Sequence, residues 1–301
     1  MSPTLLALLF AVCVLSGASW GPGHHLEFAQ RTWRRRRELL PARTARLIAE
    51  ERDAFFYGNI AADIIQLKAI GGHYNHCHRW TIIDAMGEHA RGGREEAFVL
   101  GYLAHLAADT IAHNHFVPFH LTRFARTRGF GHMYWELSAD RFIAEARWNF
   151  VTHLKNLSEL DGLDELVNRS VPRKALSMRT NKLIFNHFLL ISERNRWRRG
   201  VARLHPIKRL SLSRGFLRRF QDCSMDRIRL ALRPRGLKKL LHIDTNGKAA
   251  QAKAMELRRR LVTRYPAGKR RNEAAAKAAL PFLEGMQSPP IDHRRSSPHW
   301  D

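Results

Sequence analysis

Residues 95–115 read EEAFVLGYLAHLAADTIAHNH, and a helix drawn through them is apolar almost all the way round. A helix without a polar face belongs at the centre of its domain. Yet His105, Asp109 and His113 recur every four residues, so three ionisable side chains project from one face a turn apart. Such groups are costly to bury unless something pairs them. A zinc ion pairs them well, since His nitrogen and Asp oxygen are its ordinary donors at roughly 2.0–2.2 Å. At about 100° per residue, His113 stays within roughly 40° of the direction of Asp109, whereas His115 turns away by more than about 90°. No Pro or Gly lies between Asp109 and Phe116. The pattern therefore predicts an unbroken helix with His113 on the ligand face, and His115 reaches that face only if the helix unwinds after about Ile111.

Outward from this segment the periodicity is helical nearly everywhere, with no convincing strand or hairpin signal. One or two helices fit His25 to Arg52, broken near Pro41, with Arg34 to Arg37 as a solvated face. The segment Gly58-Asn59-Ile60-Ala61-Ala62-Asp63 is followed by a polar, His-rich loop and an apolar helix from Thr81 to His89. Residues 133–155 look helical, and three basic amphipathic helices fit roughly 172–193, 210–232 and 247–264. A Pro/Ser-rich tail over 288–301 has the composition of disorder. There is no internal repeat and no Gly-rich phosphate loop.

The charge is unevenly spread. Of 51 Lys and Arg and 27 Asp and Glu in the 301 residues, residues 1–150 hold 17 and 14, and residues 151–301 hold 34 and 13. An excess of that size on one half fits an anionic partner, either nucleic acid or a lipid surface. Cys13, Cys77 and Cys223 are too few for a disulfide scaffold. Residues 5–15, LLALLFAVCVL, are too short to span a bilayer and precede Ser16-Gly17-Ala18-Ser19, small residues that a signal peptidase accepts. The reading is a signal peptide over 1–19, a secreted or periplasmic protein, and a mature chain beginning at Trp20. The expected division is then a helical core over 20–150 that carries the candidate zinc ligands, a basic helical region over 151–287 and the tail over 288–301.

More than half of the 17 histidines fall between His73 and His132, a fifth of the chain. His132 and Glu136 form a second pair spaced by four, and two helices that each present such a pair can close around a metal cluster. His76 and His78 flank Cys77 in the polar loop, and Asp63 is a lone carboxylate in an apolar segment that needs a partner. His89 and His120 read as surface residues without a role.

Together these residues resemble the bacterial zinc-dependent phospholipase C family and, more distantly, the single-strand-specific zinc-dependent nucleases. The resemblance begins at Trp20-Gly21-Pro22-Gly23-His24-His25 and runs in order to Glu136. It implies an all-α fold with two or three zinc ions at the bottom of a cleft. The implied ligands are the Trp20 amine and carbonyl, His25 (with His24 as the alternative), Asp63, His76 or His78, His105, a bridging Asp109, His113 or His115, His132 and Glu136. His115 fits the spacing of the better-known phospholipases, and His113 keeps helical phase.

The implied reaction is hydrolysis of a phosphodiester by metal-activated water, with Asp63 also the candidate to orient or deprotonate that water. Phospholipase C is the first reading, a glycerophospholipid the substrate and an anionic membrane a peripheral partner. A nuclease is the alternative, and it would need stacking platforms, for which Trp33, Trp80, Trp135, Trp148 and Trp197 are available. A third class, a non-catalytic polyanion binder with closed structural zinc sites, differs from both in having no water position on the metal.

Overall fold

Proline at the first helical position opens α1 (Pro22–Arg34), where its missing N–H is no loss and its fixed φ suits the helix. After α2 (Arg36–Leu39), Pro41 caps α3 (Ala42–Glu50), and a single residue separates this from α4 (Arg52–Ile64). A 3₁₀ turn, His76–His78, leads to α5 (Thr81–His89) and α6 (Gly93–Ile111). A π turn (Ala112–Phe116) joins α6 to α7 (Val117–Arg123). Then come α8 (Glu145–Asn156), α9 (Asp161–Ser170), α10 (Arg214–Ala231), α11 (Lys248–Arg264) and α12 (Lys269–Ala279). The computed structural model describes residues 20–65, 76–124, 135, 138–171, 176–183 and 212–287. The protein is all-α, with no strand among the described residues. Among them, no helix is long and apolar enough to cross a membrane.

The core forms around α6, whose residues from Gly101 to Ile111 are all buried, and its closest partner is α4. Two glycines make that contact. A Cβ on Gly58 would lie 2.1 Å from the Phe98 carbonyl oxygen, and one on Gly101 would lie 2.1 Å from the Phe55 carbonyl oxygen. Backbone therefore meets backbone, and the loss of two side chains draws α4 and its Asp63 against the His105/Asp109 face of α6. Phe55, Phe56, Ile60, Phe98 and Tyr102 fill the flanks, fully buried.

Helices from the basic half close the other sides. α10 lies on α6, and α11 and α12 lie on α7. Leu217, Phe220, Ile228 and Leu240 enter the same hydrophobic cluster as Leu26, Phe98 and Val151, so apolar side chains from both sides of residue 150 share one core. Ser213 caps α10 by accepting from the Phe216 N–H.

Several local expectations need correction. The segment after Asp109 does not continue as a regular α-helix. Ala112–Phe116 widens into a π turn without Pro or Gly, and Asn114 ties the widened turn down by donating to the Thr110 carbonyl at 2.9 Å and the Asp244 carbonyl at 2.7 Å. The helix expected over 133–155 is interrupted: Trp135 and residues 138–140 are helical, residues 141–144 form a turn that leaves Ala144 with an extended backbone, and a separate helix begins at Glu145. His120 is 1% exposed, packed between Phe116 and Trp135. Trp80, Trp135 and Trp148 are buried too and offer no stacking surface to a base, while Trp33 is half-buried beneath the guanidinium groups of Arg36 and Arg52. Most of the helix expected over 172–193, together with Trp197, the leader over 1–19 and the tail over 288–301, lies outside the described residues.

Candidate metal centre

Four elements converge on one buried point. α1 supplies His25, α4 supplies Asp63, the 3₁₀ turn supplies His78, and α6 supplies His105 and Asp109. All five side chains are less than 5% exposed. Asp109 is central: its Oδ1 lies 3.3 Å from His25 Nε2, and its Oδ2 lies 3.2 Å from His105 Nε2 and 3.4 Å from His78 Nε2. Asp63 faces the same three rings at 3.8 Å from His25, 3.8 Å from His78 and 3.9 Å from His105. The rings of His25 and His105 stack with centroids 3.8 Å apart.

The geometry fits a metal better than it fits hydrogen bonding. His105 Nδ1 lies 2.9 Å from the Asn59 carbonyl, which can only accept, so this nitrogen carries the proton and Nε2 turns a lone pair inward. That lone pair faces His78 Nε2 at 3.1 Å. Donor atoms held by one tetrahedral ion with bonds of about 2.1 Å lie about 3.4 Å apart, close to most of these separations. His25 Nδ1 is buried with no hydrogen-bond partner. Two triads, His25/His105/Asp109 and Asp63/His78/His105, each bring one donor atom per residue within 4.8 Å of the others, with His105 common to both.

Electrostatics points the same way. Burial pulls the His25 ring below its ordinary range, and nearby His105 pushes it further. For His105 burial also acts downward, but the Asp109 and Asp63 carboxylates outweigh it and leave the ring above its ordinary range. Burial alone would raise Asp109; His105 and His25 overcome it and hold the carboxyl well below the usual range. Two buried carboxylates facing three imidazole nitrogens need balancing positive charge, and a divalent ion would supply it.

The remaining expected site residues are placed as follows. His24 turns away from the cluster, its Nδ1 2.7 Å from Asp140 Oδ1. The Trp20 ring is fully buried, stacked on His24 and Phe116. His113 directs Nε2 toward the cluster, 3.8 Å from Asp109 Oδ2. His115 points elsewhere, its Nδ1 donating to the Phe282 carbonyl at 2.9 Å, and burial lowers its pKa. The side chain of His76 and all of His132 and Glu136 lie outside the described residues.

Sequence reasoning missed a brace from the basic half. Thr245 and the Asn246 side-chain amide donate to the His78 carbonyl, the latter at 3.2 Å, and the Trp80 indole donates to the Ile243 carbonyl at 2.9 Å. From the other side the Tyr102 hydroxyl donates to the Cys77 carbonyl at 2.6 Å. Gly247, with φ +57°, lets the same turn press on the π turn: a Cβ there would lie 2.2 Å from the His113 carbonyl oxygen. Asp-Thr-Asn-Gly at 244–247 is recognisable as a turn. Nothing in the sequence says that this turn meets residues 78 and 113.

An all-helical scaffold with a buried cluster of histidines and two aspartates, carried on separate helices, defines a class of helical metalloprotein. Within that class the chain belongs to the zinc-dependent phospholipase C family, whose model matches residues 24–186. No curated protein and no solved structure matches it. Membership supports zinc as the metal and a zinc phosphodiesterase-type function.

Proposed function

We propose that this protein is a phospholipase C, hydrolysing glycerophospholipids to diacylglycerol and a phosphorylated head group, with two or three zinc ions as cofactor. The observation that carries the reading is the convergence of His25, Asp63, His78, His105 and Asp109 on one point in a chain of this family. In the proposal those five residues would hold metal, and the Trp20 amine, His132 and Glu136 would complete the set. Bound zinc supplies Lewis-acid stabilisation of phosphate charge and an activated water near neutral pH. The chain's own residues do the rest. Asp63, which stands farther from the imidazoles than Asp109 does, would orient a water at the site and accept its proton at a carboxylate oxygen. His105 is kept in one tautomer by the Asn59 carbonyl, and the apolar packing of α1, α4 and α6 excludes bulk water from behind the cluster.

Burial of Trp80, Trp135 and Trp148 favours lipid over single-stranded nucleic acid, because those indoles cannot stack on bases. The exposed Lys and Arg of α11 and α12 favour peripheral contact with an anionic membrane. Export with cleavage before Trp20 accompanies this reading, since only the mature chain offers a free amine there. The test is turnover of phosphatidylcholine, single-stranded DNA and bis(p-nitrophenyl) phosphate by zinc-loaded protein. Release of diacylglycerol with inert DNA is the expected result. Faster cleavage of DNA transfers the assignment to the nucleases, and no turnover of any substrate leaves a non-catalytic zinc protein.

A further inference from the structure

α11 packs on α7, α12 and the π turn, and its inward residues Ala254 and Leu261 are buried. Its other side faces solvent, and that side is not simply polar. Among the described residues, four of the five large hydrophobic side chains left exposed, Leu241, Met255, Val262 and Leu280, belong to this part of the chain. Two of them, Met255 at 39% and Val262 at 46% exposure, stand on α11 itself. Being seven residues apart they point within about 20° of each other, and Ala252 and Arg259, also exposed, fall within about 60° of Met255. An exposed stripe therefore runs Ala252, Met255, Arg259, Val262 along the outside of the helix, with no acidic residue in it. The charge around it is nearly of one sign. α11 and α12 hold ten Lys and Arg against two Glu, and both Glu are paired on their own helices, Glu256 with Arg260 and Glu273 with Lys269 at 4.0 Å.

We propose that this outer stripe of α11 is the docking face for an anionic lipid bilayer, with Met255 and Val262 entering the interface and Arg259 and the surrounding cations meeting the head groups. The apolar pair gains by leaving water, and the cations gain from the negative surface potential. Reversible attachment through two such signals together is how peripheral proteins hold to a membrane. A nucleic-acid backbone rewards the charge but offers Met255 and Val262 nothing, and the stripe has no aromatic ring on which a base could stack. The face is also joined to the metal centre through the start of its own helix. Gly247, just before α11, backs on the π turn, where a Cβ would lie 2.2 Å from the His113 carbonyl oxygen, and Asn246 donates to the His78 carbonyl at 3.2 Å. Met255 follows Gly247 by eight residues, about 12 Å along the helix axis. Docking on this face holds the metal centre beside the bilayer that supplies its substrate. The surface then governs hydrolysis of assembled lipid and leaves that of a dissolved phosphodiester alone.

The inference rests on the lipid reading above and adds the face that meets the lipid; the test separates the two. Zinc-loaded protein is sedimented with vesicles of phosphatidylcholine alone and of phosphatidylcholine mixed with phosphatidylserine, and the diacylglycerol released is measured in the same samples. Binding is expected to the mixed vesicles only, and to weaken as salt is raised. The double variant Met255→Ser/Val262→Ser, which changes no charge, should bind them about tenfold more weakly, and Arg259→Gln about fivefold more weakly. Both should keep wild-type circular dichroism, since the positions are exposed, and wild-type turnover of bis(p-nitrophenyl) phosphate, while diacylglycerol release from mixed vesicles falls in step with binding. Failure of the wild type to sediment with mixed vesicles overturns the inference, and so does a serine variant that sediments as the wild type does. Single-stranded DNA that displaces the protein from vesicles, and binds the serine variant and the wild type equally, also overturns it and gives the charge to nucleic acid. Sedimentation with the expected losses but no diacylglycerol sustains the docking face and overturns the phospholipase reading. Equal sedimentation and equal diacylglycerol release by wild type and serine variant do the reverse.

Discussion

Gly58 of α4 and Gly101 of α6 touch through their backbones: a Cβ on Gly101 would lie 3.0 Å from the Gly58 Cα and 2.1 Å from the Phe55 carbonyl oxygen. The metal centre depends on this contact, since Asn59 and Asp63 follow on one helix and His105 and Asp109 on the other. Gly101→Ala is expected to separate the helices and cost about 3 kcal/mol, the upper end for overpacking, because the obstructing atoms are backbone and cannot rotate aside. Chemical denaturation of the metal-free variant checks the cost, and zinc titration checks the coupling. A variant with wild-type stability contradicts the crossing as described.

Asp109→Ala should lose more than one equivalent of zinc, because its two oxygens face different histidines. His105 is the residue common to both triads, and His105→Ala should come next. Metal analysis after dialysis gives the ranking. Since metal binding energy is folding energy in a coupled site, the melting temperature of the zinc-loaded protein should fall with it. Asp109→Ala with full zinc content would show that the carboxylate bridges nothing.

His120 makes stability depend on pH. Burial lowers its pKa from 6.5 to about 3, so between those values the unfolded chain binds a proton that the native ring refuses. Stability from this group is complete above about pH 6.5 and falls with decreasing pH, by up to about 1.4 kcal/mol per unit. His120→Leu should flatten the decline between pH 6 and 4 relative to wild type, measured by denaturant unfolding at each pH. Parallel slopes for the two proteins would mean that the ring is hydrated.

Export should leave Trp20 as the first residue. Intact mass and amino-terminal sequencing of the secreted protein check this. If the amine binds metal, a mature chain extended by one residue ahead of Trp20 should hold less zinc than the native form, with His25 and Asp109 unchanged. Equal zinc content in the two forms excludes the amine.

The sequence by itself determined the all-α class, the buried status of α6 and the pairing of His105 with Asp109, because each is a matter of local periodicity: apolar residues at every angle, ionisable ones four apart. It also put forward His25 (with His24 as the alternative), Asp63, and either His76 or His78, through their places in segments that resemble one family; the choice of His25 and the inward turn of His78 came from the structure. Three things were decided only by tertiary structure. The π turn at 112–116 has no Pro or Gly to announce it and is held by Asn114 bonding across to Asp244, 130 residues away. His120 lost its surface position because Trp135 and helix α10 cover it. The partner of His115, the Phe282 carbonyl 167 residues away, is one that helical phase cannot see. Periodicity fixes the direction in which a side chain leaves its helix, but the proton on an imidazole is placed by whatever donor or acceptor the rest of the chain brings to its far side.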